Sequence, residues 1–140
     1  QMIEGSSIDP IIIKDIKERI DERSYYDKDE NVQRPVVLIF LDSNHTHEHV
    51  LMELELYAPF VSIGSYIVVW DTGIEDMTQN ECRPWGKGNN PRTAVAEFLK
   101  RKDGLNFEID NIISHKLLIT ASIDGFLRRI KWLKQPKFYM

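Results

Sequence analysis

The chain has 140 residues, 42% apolar and 29% charged, with a formal net charge of −4, which suits one globular domain with a real core. The acidic balance speaks against nucleic acid or an anionic membrane as partner, and no apolar run approaches the roughly 20 residues of a membrane span. The single cysteine, Cys82, excludes an internal disulfide, and with no signal-peptide pattern at the amino terminus the expected location is the cytoplasm.

Ile3 predicts a short strand, and residues 5–8 a loop leaving it. Asp9 predicts an N-cap with Pro10 at the first helical position, where its missing N–H costs nothing. Ile12, Ile13, Ile16 and Ile20 then fall at helical spacing up to about Arg23. Residues 25–34 are polar and predict a surface loop. Residues 36–41, VVLIFL, are six apolar residues in a row that stop on Asp42. Such a run predicts a parallel strand buried on both faces, and a charge at its carboxyl end falls where open α/β sheets hold ligands.

Thr46 predicts the cap of a helix with apolar positions Val50, Leu51, Leu54, Tyr57 and Ala58, ended by Pro59. Gly64 gives a turn into a second buried strand, YIVVW, which runs straight into Asp71. Residues 72–90 lack periodicity and predict a functional loop or lid. Asn90-Pro91 restarts a helix carrying Ala94, Val95, Phe98 and Leu99, which fades at Asp103-Gly104. Residues 116–121 and 126–132 predict a hairpin closed at Gly125. The order β-α-β-α-β-loop-α-β-β is α/β.

Asp42 and Asp71 are the first candidates for chemistry. Carboxylates at adjacent strand ends repel, so holding them together needs a cation, a proton or a basic neighbour. Magnesium suits such a place, and the simpler alternative is that each aspartate caps the turn after its strand. His45, His47 and His49 form an H-x-H-x-H triplet. Zinc on a helix prefers i, i+4 spacing and wants a third ligand, which nothing nearby clearly supplies, so His47 and His49 read as solvated first-turn residues. An iron site of His45, His49 and Asp42 meets the same spacing objection. His45, three residues past Asp42, is placed to act as a general base. Arg83, Trp85 and Lys87 can close over a substrate; Arg128, Arg129, Lys131 and Lys134 read as a solvated strand face.

With those residues in view, the chain resembles the cephalosporin hydroxylase family, a branch of the class I S-adenosylmethionine-dependent methyltransferases. The likeness rests on IEGSSIDPIII, on IFLDSNHTHEHVLMELELYAPFVSIGSYIVVWDT and on LLITASIDGFLRRIK. It implies a Rossmann-like sheet, mostly parallel with a C-terminal antiparallel hairpin, that binds S-adenosylmethionine over its strand ends. By that resemblance Gly5, Ser6, Ser7 and Ile8 border the adenine, with Asp42 also at the cofactor. Asp42 and Asp71 are then metal ligands for magnesium, and His45 stands near the acceptor hydroxyl. Relatives in the family methylate sugar and antibiotic hydroxyls, so a small-molecule or sugar acceptor is expected.

Two departures bear on this reading. Trp70 stands where the family usually has an acid. The first two strands and their glycine-rich loop have no counterpart, so residues 1–140 are read as one domain, the C-terminal portion of the fold. Exposed strand edges then predict homo-oligomerisation. The alternatives are a truncated or degenerate non-catalytic module, and, with less in its favour, a metal-dependent hydrolase using the same two acids with His45.

Overall fold

The computed structural model describes residues 2–78 and 82–130. The Asp9 side chain accepts the Ile11 N–H, and Pro10 opens helix α1 (Pro10–Glu22). Ile13 and Ile16 lean on the core, yet no α1 residue is fully buried. Residues 25–34 are not a plain loop. They form a small antiparallel hairpin of β1 (Tyr25–Tyr26) and β2 (Val32–Gln33), whose turn Asp27 organises by accepting the Asp29 and Asn31 backbone N–H groups at 2.9 Å each.

Strand β3 (Ile39–Leu41) runs parallel to β4 (Tyr66–Val69), with Leu41 opposite Val69. The expectation of burial on both faces fails for β3. Val36 is 84% exposed and Phe40 59% exposed. The reason is position: β3 is the outer strand of its sheet, and its inward residues Ile39 and Leu41 alone reach the core. β4 has a neighbour on each side, and Ile67, Val68 and Val69 are buried. Ile3 is in no strand.

Helix α2 (His47–Tyr57) turns its buried face inward and passes into a 3₁₀ turn at Ala58–Phe60, where Pro59 prevents continuation. Thr46 holds the N-cap position without a side-chain bond. Asn44 Oδ1 and Asn89 Oδ1 do the capping, accepting the Thr46 and His47 N–H groups at 2.9 Å each. Helix α3 (Pro91–Phe98) packs on α2 and carries a capping box between Asn90 and Thr93.

The C-terminal part corrects the predicted hairpin. Residues 116–121 hold no strand; Asn111–Leu117 is helix α4. The partner of β6 (Phe126–Arg129) is instead β5 (Phe107–Ile109), too short to show a periodicity. The sheet order is β3-β4-β6-β5, with β6 antiparallel to both neighbours. β3, β4 and β5 therefore point one way around one reversed strand, so the sheet is mixed, and among the described strands only the β3–β4 pair is parallel. Gly125 is needed for close approach: a Cβ there would stand 2.3 Å from the Val69 carbonyl oxygen.

Arg129 overturns the solvated basic face. It is 4% exposed, and its guanidinium donates to the carbonyls of Ala58, Pro59 and Val61 at 3.0, 3.1 and 2.5 Å. Burial pushes its pKa down, and the three carbonyls offset that cost. Trp132, Lys131 and Lys134 lie outside the described residues. Among the described residues, no helix is long and apolar enough to cross a membrane.

Candidate functional site

Trp70 N–H donates to the Leu41 carbonyl at 3.0 Å, the last bond joining β3 to β4. Just beyond it the chain leaves both strands on the same side of the sheet, so Asp42 and Asp71 emerge as neighbours. Asp71 has φ 56° and ψ 25°, in the left-handed region that Asp tolerates better than most residues. Neither carboxylate caps a helix: Asp71 makes no cap bond to the 3₁₀ turn Thr72–Asp76 that follows it.

Both acids meet His45 instead. His45 Nε2 lies 3.0 Å from Asp71 Oδ2 and 3.6 Å from Asp42 Oδ1. One ligating atom from each of the three falls within 4.8 Å of the others. Both ring nitrogens of His45 are buried, and neither makes a directed hydrogen bond among the described residues. The ion-pair distance to Asp71 is thus short but poorly aligned, an arrangement open to a proton, a substrate hydroxyl or a metal.

The expected lid is a fastened loop rather than an unstructured one. Trp85 stands edge-on to His45, ring centroids 5.0 Å apart at 65°, and the Arg83 guanidinium lies 5.2 Å from the Trp85 centroid. Lys87 is exposed. Together Ser43, His45, Asp71, Ile74, Met77 and Trp85 line most of a cavity of about 410 Å³. The loop is held by Glu75, which accepts from the Gly88 N–H at 2.8 Å and from the buried Asn90 amide. The Gly88 N–H, then Asn90, holds the Glu75 carboxyl below its ordinary value of 4.5. A carboxyl depressed by folding contributes stability above its unfolded pKa and loses it as pH falls through the folded one. Acidification below about pH 4.5 is therefore expected to loosen this loop before the core melts. Acrylamide quenching in a variant whose one tryptophan is Trp85 should rise in that range.

The other two histidines are not solvated. His47 Nδ1 lies 2.8 Å from Thr93 Oγ1 and its Nε2 3.0 Å from Glu97 Oε2, joining α2 to α3. Glu97 is held below its ordinary range chiefly by Arg101, with His47 adding to the effect. His49 Nε2 lies 3.2 Å from both Ser7 Oγ and Ser43 Oγ. Of the 5–8 loop, Gly5 and Ser6 are exposed, while Ser7 and Ile8 are half-buried. Tyr57 OH donates to the Ser7 carbonyl at 2.9 Å, and burial, then the charge of Glu53, raises the Tyr57 pKa.

Glu53 is the residue that sequence reading missed. It accepts from Ser43 Oγ at 2.7 Å and is buried on the inner face of α2. The available signal was its spacing: position 53 continues the stripe 50, 54, 57, where a glutamate is out of place unless something holds it.

Residues 1–130 match the family described as Rhamnosyl O-methyltransferase/CmcI. Proteins named Rhamnosyl O-methyltransferase from Mycobacterium tuberculosis and Mycobacterium bovis are 38% identical over 127 residues. That alignment covers 91% of this chain and 46% of each relative, so the chain spans about half their length. No solved structure matches it significantly. The family match, running through both strand ends and the histidine between them, establishes that this chain belongs to the rhamnosyl O-methyltransferase/CmcI family.

Proposed function

We propose that the chain carries the acceptor side of an S-adenosylmethionine-dependent O-methyltransferase acting on a sugar hydroxyl. The observation that carries this is His45, held against Asp71 and Asp42 at the ends of two parallel strands and walled by Trp85. The three co-directional strands with one reversed strand among them agree with a partial Rossmann-like methyltransferase sheet. The relatives' printed name supplies the sugar and the methyl transfer.

His45 takes the proton that the acceptor hydroxyl releases. Asp71, 3.0 Å from Nε2, stabilises the resulting imidazolium. Trp85 keeps water from the ring and gives the cavity an apolar wall beside polar groups, a surface suited to a sugar. S-adenosylmethionine, when bound, supplies an activated methyl group. The residues present fit one edge of it: a half-buried Ser7 hydroxyl and a glycine at φ 150° in the loop ahead of α1. Gly5, Ser6, Ser7, Ile8 and Asp42 would hold that edge.

A second reading gives Asp42 and Asp71 a divalent ion, favoured by the convergence of one ligating atom from each of Asp42, His45 and Asp71 within 4.8 Å. Two carboxylate oxygens suit magnesium, while enlisting His45 as third ligand would favour manganese or zinc. In either case the ion would orient the acceptor oxygen. The test is titration calorimetry with S-adenosylhomocysteine, then methyl transfer to a rhamnoside before and after dialysis against EDTA. Micromolar binding with transfer insensitive to EDTA supports His45 acting as base without an ion; transfer lost to EDTA and restored by manganese supports the ion. Absence of heat and of transfer would leave a non-catalytic module.

A further inference from the structure

We infer that Glu53 is a positioning residue which, through Ser43 and His49, leaves the Ser7 hydroxyl as a hydrogen-bond donor for a ligand on the 5–8 loop. The identity of that ligand rests on the methyltransferase reading; the hydrogen-bond relay does not.

Glu53 is 1% exposed, and its Oε2 has no hydrogen-bond partner among the described residues. A buried carboxylate with one oxygen unused is a poor way to stabilise a helix, and an apolar residue of similar volume would do better. Charges of that kind gather where function needs them.

The polarity then follows from proton counting. Ser43 directs its one hydroxyl proton to Glu53 Oε1, at 2.7 Å. Toward His49 it can offer only lone pairs. His49 Nε2 faces Ser43 Oγ at 3.2 Å and Glu53 Oε1 at 3.5 Å. A bare nitrogen there would set its lone pair against a carboxylate oxygen and a hydroxyl with no proton to give, a repulsion that a hydrogen on Nε2 removes. Ser7 Oγ, 3.2 Å from the same nitrogen, shares that one N–H with Ser43 Oγ as its second acceptor. Its own proton is released for another acceptor, such as a heterocycle nitrogen. Tyr57 meanwhile pins the Ser7 carbonyl, so the loop is fixed while the hydroxyl is free to turn outward.

The experiment uses the full chain with ¹⁵N-labelled histidine. Wild type is expected to show His49 protonated at Nε2. Glu53→Met removes the acceptor, frees the Ser43 proton to donate to Nε2 and switches His49 to the Nδ1–H form. The same variant should weaken S-adenosylhomocysteine binding about tenfold while its melting temperature holds or rises. Glu53→Gln keeps an acceptor for Ser43 and should retain both the tautomer and the affinity. A bare Nε2 in wild type, or a Glu53→Met chain with unchanged tautomer and affinity, overturns the proposal. So does a fall in melting temperature with the tautomer unmoved, the sign of a purely structural role. If wild type binds no S-adenosylhomocysteine, the methyltransferase reading fails, and the tautomer switch alone then upholds or overturns the relay.

Discussion

Replacing His45 with glutamine is expected to lower methyl transfer by about 10²- to 10⁴-fold, the range in which a positioned general base acts. Binding of S-adenosylhomocysteine should change little, because His45 sits with the acid pair and Trp85 rather than on the 5–8 loop. Glutamine fills similar space and can still donate to Asp71, so the strand ends should keep their arrangement. The measurements are initial rates with a rhamnoside acceptor, calorimetry with S-adenosylhomocysteine, and circular dichroism to show an intact fold. Turnover within about threefold of wild type, far below the base's range, would remove His45 from the chemistry. The same assignment makes a further demand: an added small base such as imidazole should restore part of the rate in a His45→Gly chain, where the ring's space is open.

The second large effect is on stability. Arg129→Ala strips three carbonyls, the buried ones of Ala58 and Val61 and the part-buried one of Pro59, of a shared donor. Each unsatisfied acceptor costs about 1–3 kcal/mol, although the three share one environment and do not add fully. A loss of about 3–5 kcal/mol is expected, comparable to breaking other buried charged contacts. The midpoint of thermal unfolding should fall by roughly 10 °C or more. Arg129→Met keeps an apolar stem of similar length, so its difference from wild type isolates the guanidinium's share, which includes the placement of that group over the Phe107 ring. Urea unfolding of the three chains checks both numbers, and a loss below about 1 kcal/mol for alanine, inside the ordinary surface range, would contradict the role given to Arg129.

The parts of this molecule that are legible in sequence are those set by local chemistry. Asp9-Pro10 and Asn90-Pro91 announce their helices because capping needs only neighbours. The meeting of Asp42, His45 and Asp71 is legible because two apolar runs each stop on a carboxylate, and strands that pair must bring their ends together. What is not legible depends on distant partners. Arg128 and Arg129 look alike in sequence, and only the pleat sends Arg129 inward to the carbonyls after α2. Leu117, Leu118 and Ile119 resemble a strand yet are exposed, because the neighbour of β6 comes from three residues at 107–109. The polar roles of His47 and His49 depend on Thr93, Glu97 and Ser7, more than forty positions away. Asn89 illustrates the same point, capping a helix that begins 42 residues earlier.

The place of β6 governs how this chain can assemble. It is the last described strand, yet it stands between β4 and β5, and among the described residues β5 hydrogen-bonds to no other strand. During synthesis β3, β4 and β5 emerge first and must wait with open flanks until residues 126–129 arrive. The slowest event should accordingly be insertion of residues 126–129, a long-range closure rather than a local one. A ribosome stalled before residue 126 would present a half-built sheet with a vacant slot, and that is the stage at which a chaperone has most to shield.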